Sequence, residues 1–191
     1  LSLWERAGGP THPEIAGIIG LDADMNTGKV IGTAFPADMT TTTLEGFYAS
    51  GGRGDKKLVY RTDVMRQMPP YPVFPGEKYI SLGYQLCDQL YRLLTINRVL
   101  CDVEYQPDGS SHSMFRQYLQ NPRGFAFIRV QNMKFNKSFR RNARDCVHYV
   151  SSCLIAREKH FVRKSPKPVL TWFSVPAGVL LTLYIRWRAK R

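Results

Sequence analysis

The chain has 191 residues, which is long enough for one domain with a hydrophobic core and a further extension. Hydrophobic residues make up 43% and charged residues 22% of it, a composition that excludes an intrinsically disordered protein. Its net charge of +12 arises after residue 100, because residues 1–100 hold 10 basic and 10 acidic residues and residues 101–191 hold 17 and 5. The basic second half indicates a polyanionic partner, such as nucleic acid, nucleotide phosphates or an anionic membrane.

The first nine residues, LSLWERAGG, look like the end of a helix, because apolar Leu1 and Trp4 precede a Gly-Gly-Pro stop. We therefore expect that part of the protein lies upstream of this chain. The four cysteines include no C-x-x-C pair, so a zinc site is not expected. Reduced, buried thiols are typical of a cytoplasmic protein.

The next segments predict strands with a turn between them, followed by a helix. The apolar run from Ile15 to Leu21 predicts a buried strand, and DADMNTGK after it predicts a turn. The run from Val30 to Phe35 predicts a second strand. Residues 40–43 are four consecutive threonines, and they favour the start of a helix through Phe47. Residues 50–54 are rich in glycine and predict a mobile loop.

Residues 54–78, GDKKLVYRTDVMRQMPPYPVFPGEK, carry the most information. They predict a strand (57–61), a short helix opened by Thr62 or Asp63, a loop stiffened by prolines, and then Glu77 after a glycine. A single carboxylate presented in this way can accept a proton from an incoming hydroxyl group. The alternative is an exposed loop glutamate paired with Lys78.

The remaining elements complete an alternating pattern of helices and strands. Residues 81–94 predict an amphipathic helix, 99–105 a strand, and 114–119 a helix capped by Ser110 to Ser113. This alternation predicts an α/β fold. After residue 134 the chain becomes strongly basic, and an apolar stripe through Cys146, Val150 and Cys153 is typical of an interfacial helix.

The uncharged run from Val169 to Ile185 spans about 26 Å as a helix, slightly less than a bilayer core of about 30 Å. Pro176 and Gly178 interrupt it, and basic residues flank both of its ends. This symmetry favours a kinked or in-plane membrane helix over a single crossing, although a crossing stays open. The alternative is a buried core helix.

The pieces IAGIIGLD, GKVIGTAFP, GDKKLVYRTDV, FPGEKYIS and EYQPDGSSHSMFRQYLQNPRGF together resemble the acceptor half of glycosyltransferase family 2 enzymes. The resemblance implies a GT-A fold, a nucleotide-sugar donor, a divalent cation (Mg²⁺ or Mn²⁺), inversion at the anomeric carbon, and Glu77 as the catalytic base. Lys78 stands where the family has a second acidic residue. The family's nucleotide-binding half is absent from the chain, so the cation is expected to bind mainly through an upstream segment.

Further site residues are predicted around this base. Asp22 and Asp24 form a D-x-D pair that suits a hard divalent cation, although a hairpin turn is the alternative. The predicted substrate-binding residues follow the glycine loop, end the predicted strand, or occur in the late loop and helix where they can meet phosphate: Asp55, Lys56, Arg61, His112 and Arg116. A local salt bridge with Asp63 is the alternative for Arg61. The alternatives are an exposed histidine without a role for His112 and a solvated helix face for Arg116.

The sequence thus predicts a partial GT-A-type mixed sheet flanked by helices in residues 1–130, and membrane-associating helices in residues 131–191. The predicted function is inverting transfer of a sugar to a glycan or lipid-linked acceptor in cell-surface glycan or polysaccharide synthesis, at the cytoplasmic face of the cell membrane. The alternatives are a basic nucleic-acid-binding protein and a non-catalytic membrane adaptor. The chain carries no RNP, KH or helix-turn-helix pattern, which argues against nucleic acid as the partner.

Overall fold

The structure is a computed structural model that describes residues 4–5, 11–78, 83–106, 114–136 and 138–190, with the backbone alone at 83–85. The chain divides into two compact units. We call residues 1–71 and 81–106 the sheet unit, and residues 72–80 and 107–191 the helical unit. The predicted boundary after residue 130 falls inside the helical unit. Most of the predicted N-terminal helix end, and the predicted cap at 110–113, lie outside the described residues.

The sheet unit is an α/β structure with a curled, four-stranded mixed sheet. β1 lies in the centre, parallel to β4 and antiparallel to β3, and β2 pairs antiparallel with the other side of β4. The strands are β1 (Ile15–Asp24), β2 (Thr41–Thr42), β3 (Lys56–Tyr60) and β4 (Arg92–Val103). The predictions of β1 and β3 are confirmed.

The core of the sheet unit is a single apolar cluster against the sheet. β1 is buried along nearly its whole length because neighbours pair with it on both sides. Ala16, Ile19 and Leu21 of β1 meet Phe47 and Leu93 in this cluster. The described helices of this unit are α1 (Leu44–Ala49), α2 (Thr62–Gln67) and α3 (Gly83–Leu90).

Local sequence signals explain where two of these helices begin and end. The Thr43 side chain accepts the N–H of Gly46 (2.9 Å), so the predicted threonine cap of α1 is confirmed. The predicted helix over 81–94 is wrong at its end, because α3 stops at Leu90 and Leu93 lies in β4. Leu93 belongs to the sheet core, and leucines at this spacing satisfy either element.

The predicted strand over residues 30–35 is also wrong. Val30 makes a single isolated bridge to Ala23, and the backbone then turns through Gly32 at φ +76°. A side chain at Gly32 would meet the carbonyl oxygen of Arg53 at 2.0 Å. The close approach of these two backbone segments, rather than strand pairing, therefore determines the conformation here.

The described part of the helical unit is built on one long central helix, α6, which packs against α5, α8 and α9. Its helices are α4 (Met114–Gln120), α5 (Pro122–Phe135), α6 (Phe139–Ile155), α7 (Phe161–Lys164), α8 (Pro168–Phe173) and α9 (Val175–Arg188). The predicted apolar stripe on α6 is buried inside this unit, since Cys146, Val150 and Cys153 are at most 1% exposed. It is therefore a core face, not a face available to a membrane.

The uncharged C-terminal run forms two helices, because α8 ends at Phe173, Ser174 caps both helices, and α9 begins at Val175 with Pro176 in its first turn. One side of α9 packs on α6, where a side chain at Gly178 would lie 2.4 Å from Val150. Thr182 on the same side bonds to Ser151 (3.0 Å). Among the described helices, none combines the length and the apolarity that crossing a bilayer requires.

Candidate active site

Glu77 lies in the helical unit, where a tight turn places it at the start of α5. Gly76 has φ +80°, and the N–H of Glu77 donates to the Phe74 carbonyl (3.0 Å). Its carboxylate accepts two backbone N–H groups: Arg123 donates to Oε1 (3.0 Å) and Gly124 to Oε2 (2.9 Å). The side chain is only 6% exposed.

This arrangement is a helix cap supplied from a distant part of the chain. The first N–H groups of a helix have no intrahelical partner and carry partial positive charge, so a carboxylate there is stabilised. The next residue adds a third hydrogen bond between this turn and the start of α5, because the N–H of Lys78 donates to Asn121 Oδ1 (2.6 Å). The alternative of an exposed glutamate paired with Lys78 is therefore wrong.

The carboxylate retains acceptor capacity in this position. Two carboxylate oxygens offer about four acceptor positions, and the two amides occupy two of them. The Arg123 guanidinium approaches Oε1 only at 3.7 Å. Glu77 is thus a nearly buried carboxylate in a fixed orientation, with acceptor positions that the two amides do not occupy.

A second group of titratable side chains lies in the sheet unit, around Asp55. The Tyr105 hydroxyl donates to Asp55 Oδ2 at 2.5 Å, and this bond raises the pKa of Tyr105 to about 12. Nearby Asp22 is 6% exposed, and its Oδ1 accepts no hydrogen bond from the described residues. Burial raises the pKa of Asp22, while Lys57 acts in the opposite direction and Asp55 adds to the increase.

Lys56 fastens the glycine loop rather than pointing into solvent. Its ammonium donates to the carbonyls of Ile31 (3.0 Å), Arg53 (3.1 Å) and Asp55 (3.1 Å), and the residue is 8% exposed. Burial lowers its pKa. The three N–H groups of the ammonium are therefore already engaged. These hydrogen bonds fix the glycine loop, which the sequence predicted to be mobile.

The other predicted substrate-binding residues fall in separate places. Arg61 forms a two-point pair with Asp63 (2.6 and 3.1 Å), which is the local salt bridge that the sequence left open. Arg116 is exposed on α4 of the helical unit. His112 lies outside the described residues. Of the predicted site residues in the sheet unit, Asp22, Asp55 and Lys56 lie close together.

Asp22 and Asp24 do not by themselves fit a divalent cation. Asp24 Oδ1 accepts the N–H of Asn26 (3.1 Å) and both the N–H and the hydroxyl of Thr27 (2.8 Å each), which is the turn that the sequence offered as the alternative. These bonds, led by that from the Thr27 hydroxyl, lower the pKa of Asp24. Within the described ranges, no three His, Cys, Asp or Glu side chains are grouped to hold a metal ion.

The sequence reasoning missed two sets of partners. Tyr105, the partner of Asp55, carries no sequence signal that links it to position 55. The amides that hold Glu77 were detectable in principle, because Asn121-Pro122 is a typical helix start. No known protein family, curated protein or solved structure compared with the chain matches it.

Proposed function

We propose that this chain carries the acceptor side of an inverting glycosyltransferase with the GT-A fold, and that Glu77 is its catalytic base. The donor is a nucleotide-diphosphate sugar, and the acceptor is a hydroxyl of a glycan or lipid-linked precursor in cell-surface glycan or polysaccharide synthesis. The support is the resemblance carried by residues 54–78 together with the α/β mixed sheet.

The observation that carries the proposal is the setting of the Glu77 carboxylate. A general base must be held in one orientation and must have a free lone pair within reach of the proton that it removes. Two backbone amides fix Glu77, and each of its oxygens keeps one acceptor position. Pre-ordering of this kind lowers the entropic part of the barrier.

The proposed step is a single displacement. The acceptor oxygen forms a bond to the anomeric carbon while the bond from that carbon to the diphosphate breaks, and the bonding electron pair leaves with the nucleoside diphosphate. The acceptor proton moves to Glu77. Because the nucleophile attacks opposite the leaving group, the anomeric configuration inverts.

A second proposed substrate contact lies in the sheet unit and is independent of Glu77. Asp55 is exposed and Tyr105 donates to its Oδ2, so its other oxygen can accept a hydroxyl of a sugar bound at that unit. A divalent cation would neutralise the diphosphate when it is bound. Since Asp24 is engaged in its own turn, we assign the cation mainly to residues other than Asp22 and Asp24.

The test is Glu77→Gln in the full-length protein. The matched control is Glu104→Gln, because Glu104 is exposed and its Oε2 accepts only from the nearby Gln106 among the described residues. Transfer per folded molecule should fall by about 100-fold or more for Glu77→Gln, and donor affinity should stay unchanged. The control should stay within about twofold of the original rate.

The same substitution weakens the cap of α5, so stability must be measured alongside activity. A glutamine keeps one acceptor oxygen and turns an amide NH₂ towards a backbone N–H, which costs about 1–3 kcal/mol. If Glu77 only caps the helix, the loss of transfer will follow the loss of folded protein in a urea titration. Folded Glu77→Gln protein that keeps its turnover would reject the base.

A further inference from the structure

A cavity of about 610 Å³ opens on the helical unit beside α8. Its wall is mostly apolar, formed by Phe139, Leu170, Phe173 and neighbouring prolines, and its polar lining residues are Asn142 and Lys167. Cavities of about 300–1,000 Å³ with a few polar groups in an apolar wall are typical of small-molecule sites. This cavity is therefore large enough for part of an amphiphilic ligand.

Asn142 presents an unmet hydrogen-bond acceptor in this wall. The residue is 6% exposed, and its Nδ2 donates to the Asn136 carbonyl (3.0 Å), but its Oδ1 accepts no hydrogen bond within the described chain. A buried acceptor without a donor is unfavourable. Asn142 lines the cavity, so a small rotation of its side chain would bring this oxygen within reach of a ligand hydroxyl.

Lys167 is the charged residue among those that line the cavity, and it suits an anionic ligand. Lys167 is exposed at the cavity, and its backbone N–H, bonded to Ser165 Oγ (3.1 Å), helps to fix the segment. The last acidic residue of the chain is Glu158, and residues 159–191 hold eight basic residues. This region is therefore complementary to phosphate groups or an anionic membrane surface.

The exposed apolar side chains near these basic residues favour an anionic membrane over nucleic acid as the partner. On α8, Val169 and Phe173 are each 70% exposed and Trp172 is 63% exposed. On α9, Leu180 and Leu183 are 67% and 58% exposed. Aromatic rings alone would also suit nucleic-acid bases, but exposed aliphatic side chains beside basic residues are typical of helices that lie in a membrane interface.

We propose that this cavity binds one anionic glycerophospholipid of a bilayer. The phosphate pairs with Lys167, a head-group hydroxyl donates to Asn142 Oδ1, and an acyl chain lies against Phe139 and Phe173. Trp172 then lies at the level of the head groups. The inference does not depend on the proposed glycosyl transfer, because it uses only residues of the helical unit.

The first experiment measures co-sedimentation of the whole chain with vesicles of phosphatidylcholine, alone or mixed with phosphatidylglycerol. We expect the chain to bind the mixed vesicles. Lys167→Glu should lower this affinity by about tenfold or more, and Lys167→Arg should retain it. The matched control is Lys29→Glu, which makes the same charge change at an exposed lysine of the sheet unit. An equal loss in both variants would show general charge attraction and overturn the site.

The second experiment tests whether the cavity recognises the whole lipid or only its head group. Soluble short-chain phosphatidylglycerol should saturate the chain in a titration, whereas glycerol 3-phosphate and inorganic phosphate should bind far more weakly. Phe173→Ser should weaken the lipid but not phosphate, and Val59→Ser, at an exposed site of the sheet unit, should have no effect. Equal affinity for inorganic phosphate, or displacement of the lipid by an oligonucleotide, would contradict the proposal.

Discussion

The sheet unit and the helical unit differ both in charge and in what fills their cores. The sheet unit holds 9 basic and 11 acidic residues, whereas the helical unit holds 18 and 4. Mostly aliphatic and aromatic side chains pack against β1, but Met133, Cys146 and Tyr149 form the helical core together with buried polar groups such as Thr171. We therefore expect apolar burial to dominate the stability of the sheet unit, and paired buried polar groups to contribute more in the helical unit.

One of the two largest effects is expected at the buried ion pair of the helical unit. Asp145 is 1% exposed and accepts from Arg129 (2.9 Å), whose side chain is 17% exposed. Asp145→Ala leaves a half-buried guanidinium without its partner, so the helical unit should lose about 3 kcal/mol, the lower end of the range for a broken buried pair. Unfolding in urea, monitored by hydrogen exchange of the α6 amides, measures this loss.

Exposed Asp102 in β4 provides the matched control, and Asp102→Ala should change stability by less than about 0.5 kcal/mol. A loss for Asp145→Ala no larger than this would show that the buried pair is dispensable, and the contrast between the two cores would fail.

The counterpart in the sheet unit is Ile19, which is 0% exposed at the centre of the apolar cluster. Ile19→Ala should cost about 2–5 kcal/mol through lost burial and the cavity that remains. Val59→Ala, on the exposed side of β3, is the control and should cost well under this amount. Hydrogen exchange of β1 and β4 amides reports the effect. Equal costs in the two variants would mean that β1 is not the centre of the core.

A smaller effect, on the order of 1 kcal/mol, is expected from pH, with opposite signs in the two units. Burial raises the pKa of Asp88 in the sheet unit to about 6 from 3.8. Between these values the unfolded state loses its proton first, so the contribution of Asp88 to the stability of the sheet unit falls as pH rises. Burial lowers the pKa of His148 in the helical unit to about 4 from 6.5. There the unfolded state gains its proton first, so stability falls as pH drops from about 6.5 to 4.

Unit-specific hydrogen exchange between pH 4 and 7 tests these signs. Asp88→Asn should flatten the profile of the sheet unit, and His148→Gln should flatten that of the helical unit. Profiles that keep their slopes in these variants would assign the pH dependence to other groups.

Local signals in the sequence predicted what local physics determines. The apolar run of β1, the alternation of β3 and the threonine cap of α1 depend on neighbouring residues, and the structure confirms them. The region 30–35 was misread because the conformation of Gly32 depends on Arg53, about twenty residues away.

The candidate site was less predictable for the same reason. Glu77 was singled out from its local setting, but its amide partners lie 46 and 47 residues later in the chain. Periodicity likewise revealed an apolar face on α6 and could not say that α5, α8 and α9 cover it. Distant partners of this kind are set by tertiary packing, which a single sequence does not display.

The most direct test of the account is the stereochemistry of transfer by the complete protein. It would be supplied with α-linked nucleoside diphosphate hexoses, a divalent cation and a panel of hydroxyl acceptors, and the anomeric proton of each product would be followed by NMR. The account predicts a β-linked product, formed in step with nucleoside diphosphate release and lost in folded Glu77→Gln protein. An α-linked product, or a β-linked product formed at an undiminished rate by folded Glu77→Gln protein, would contradict it.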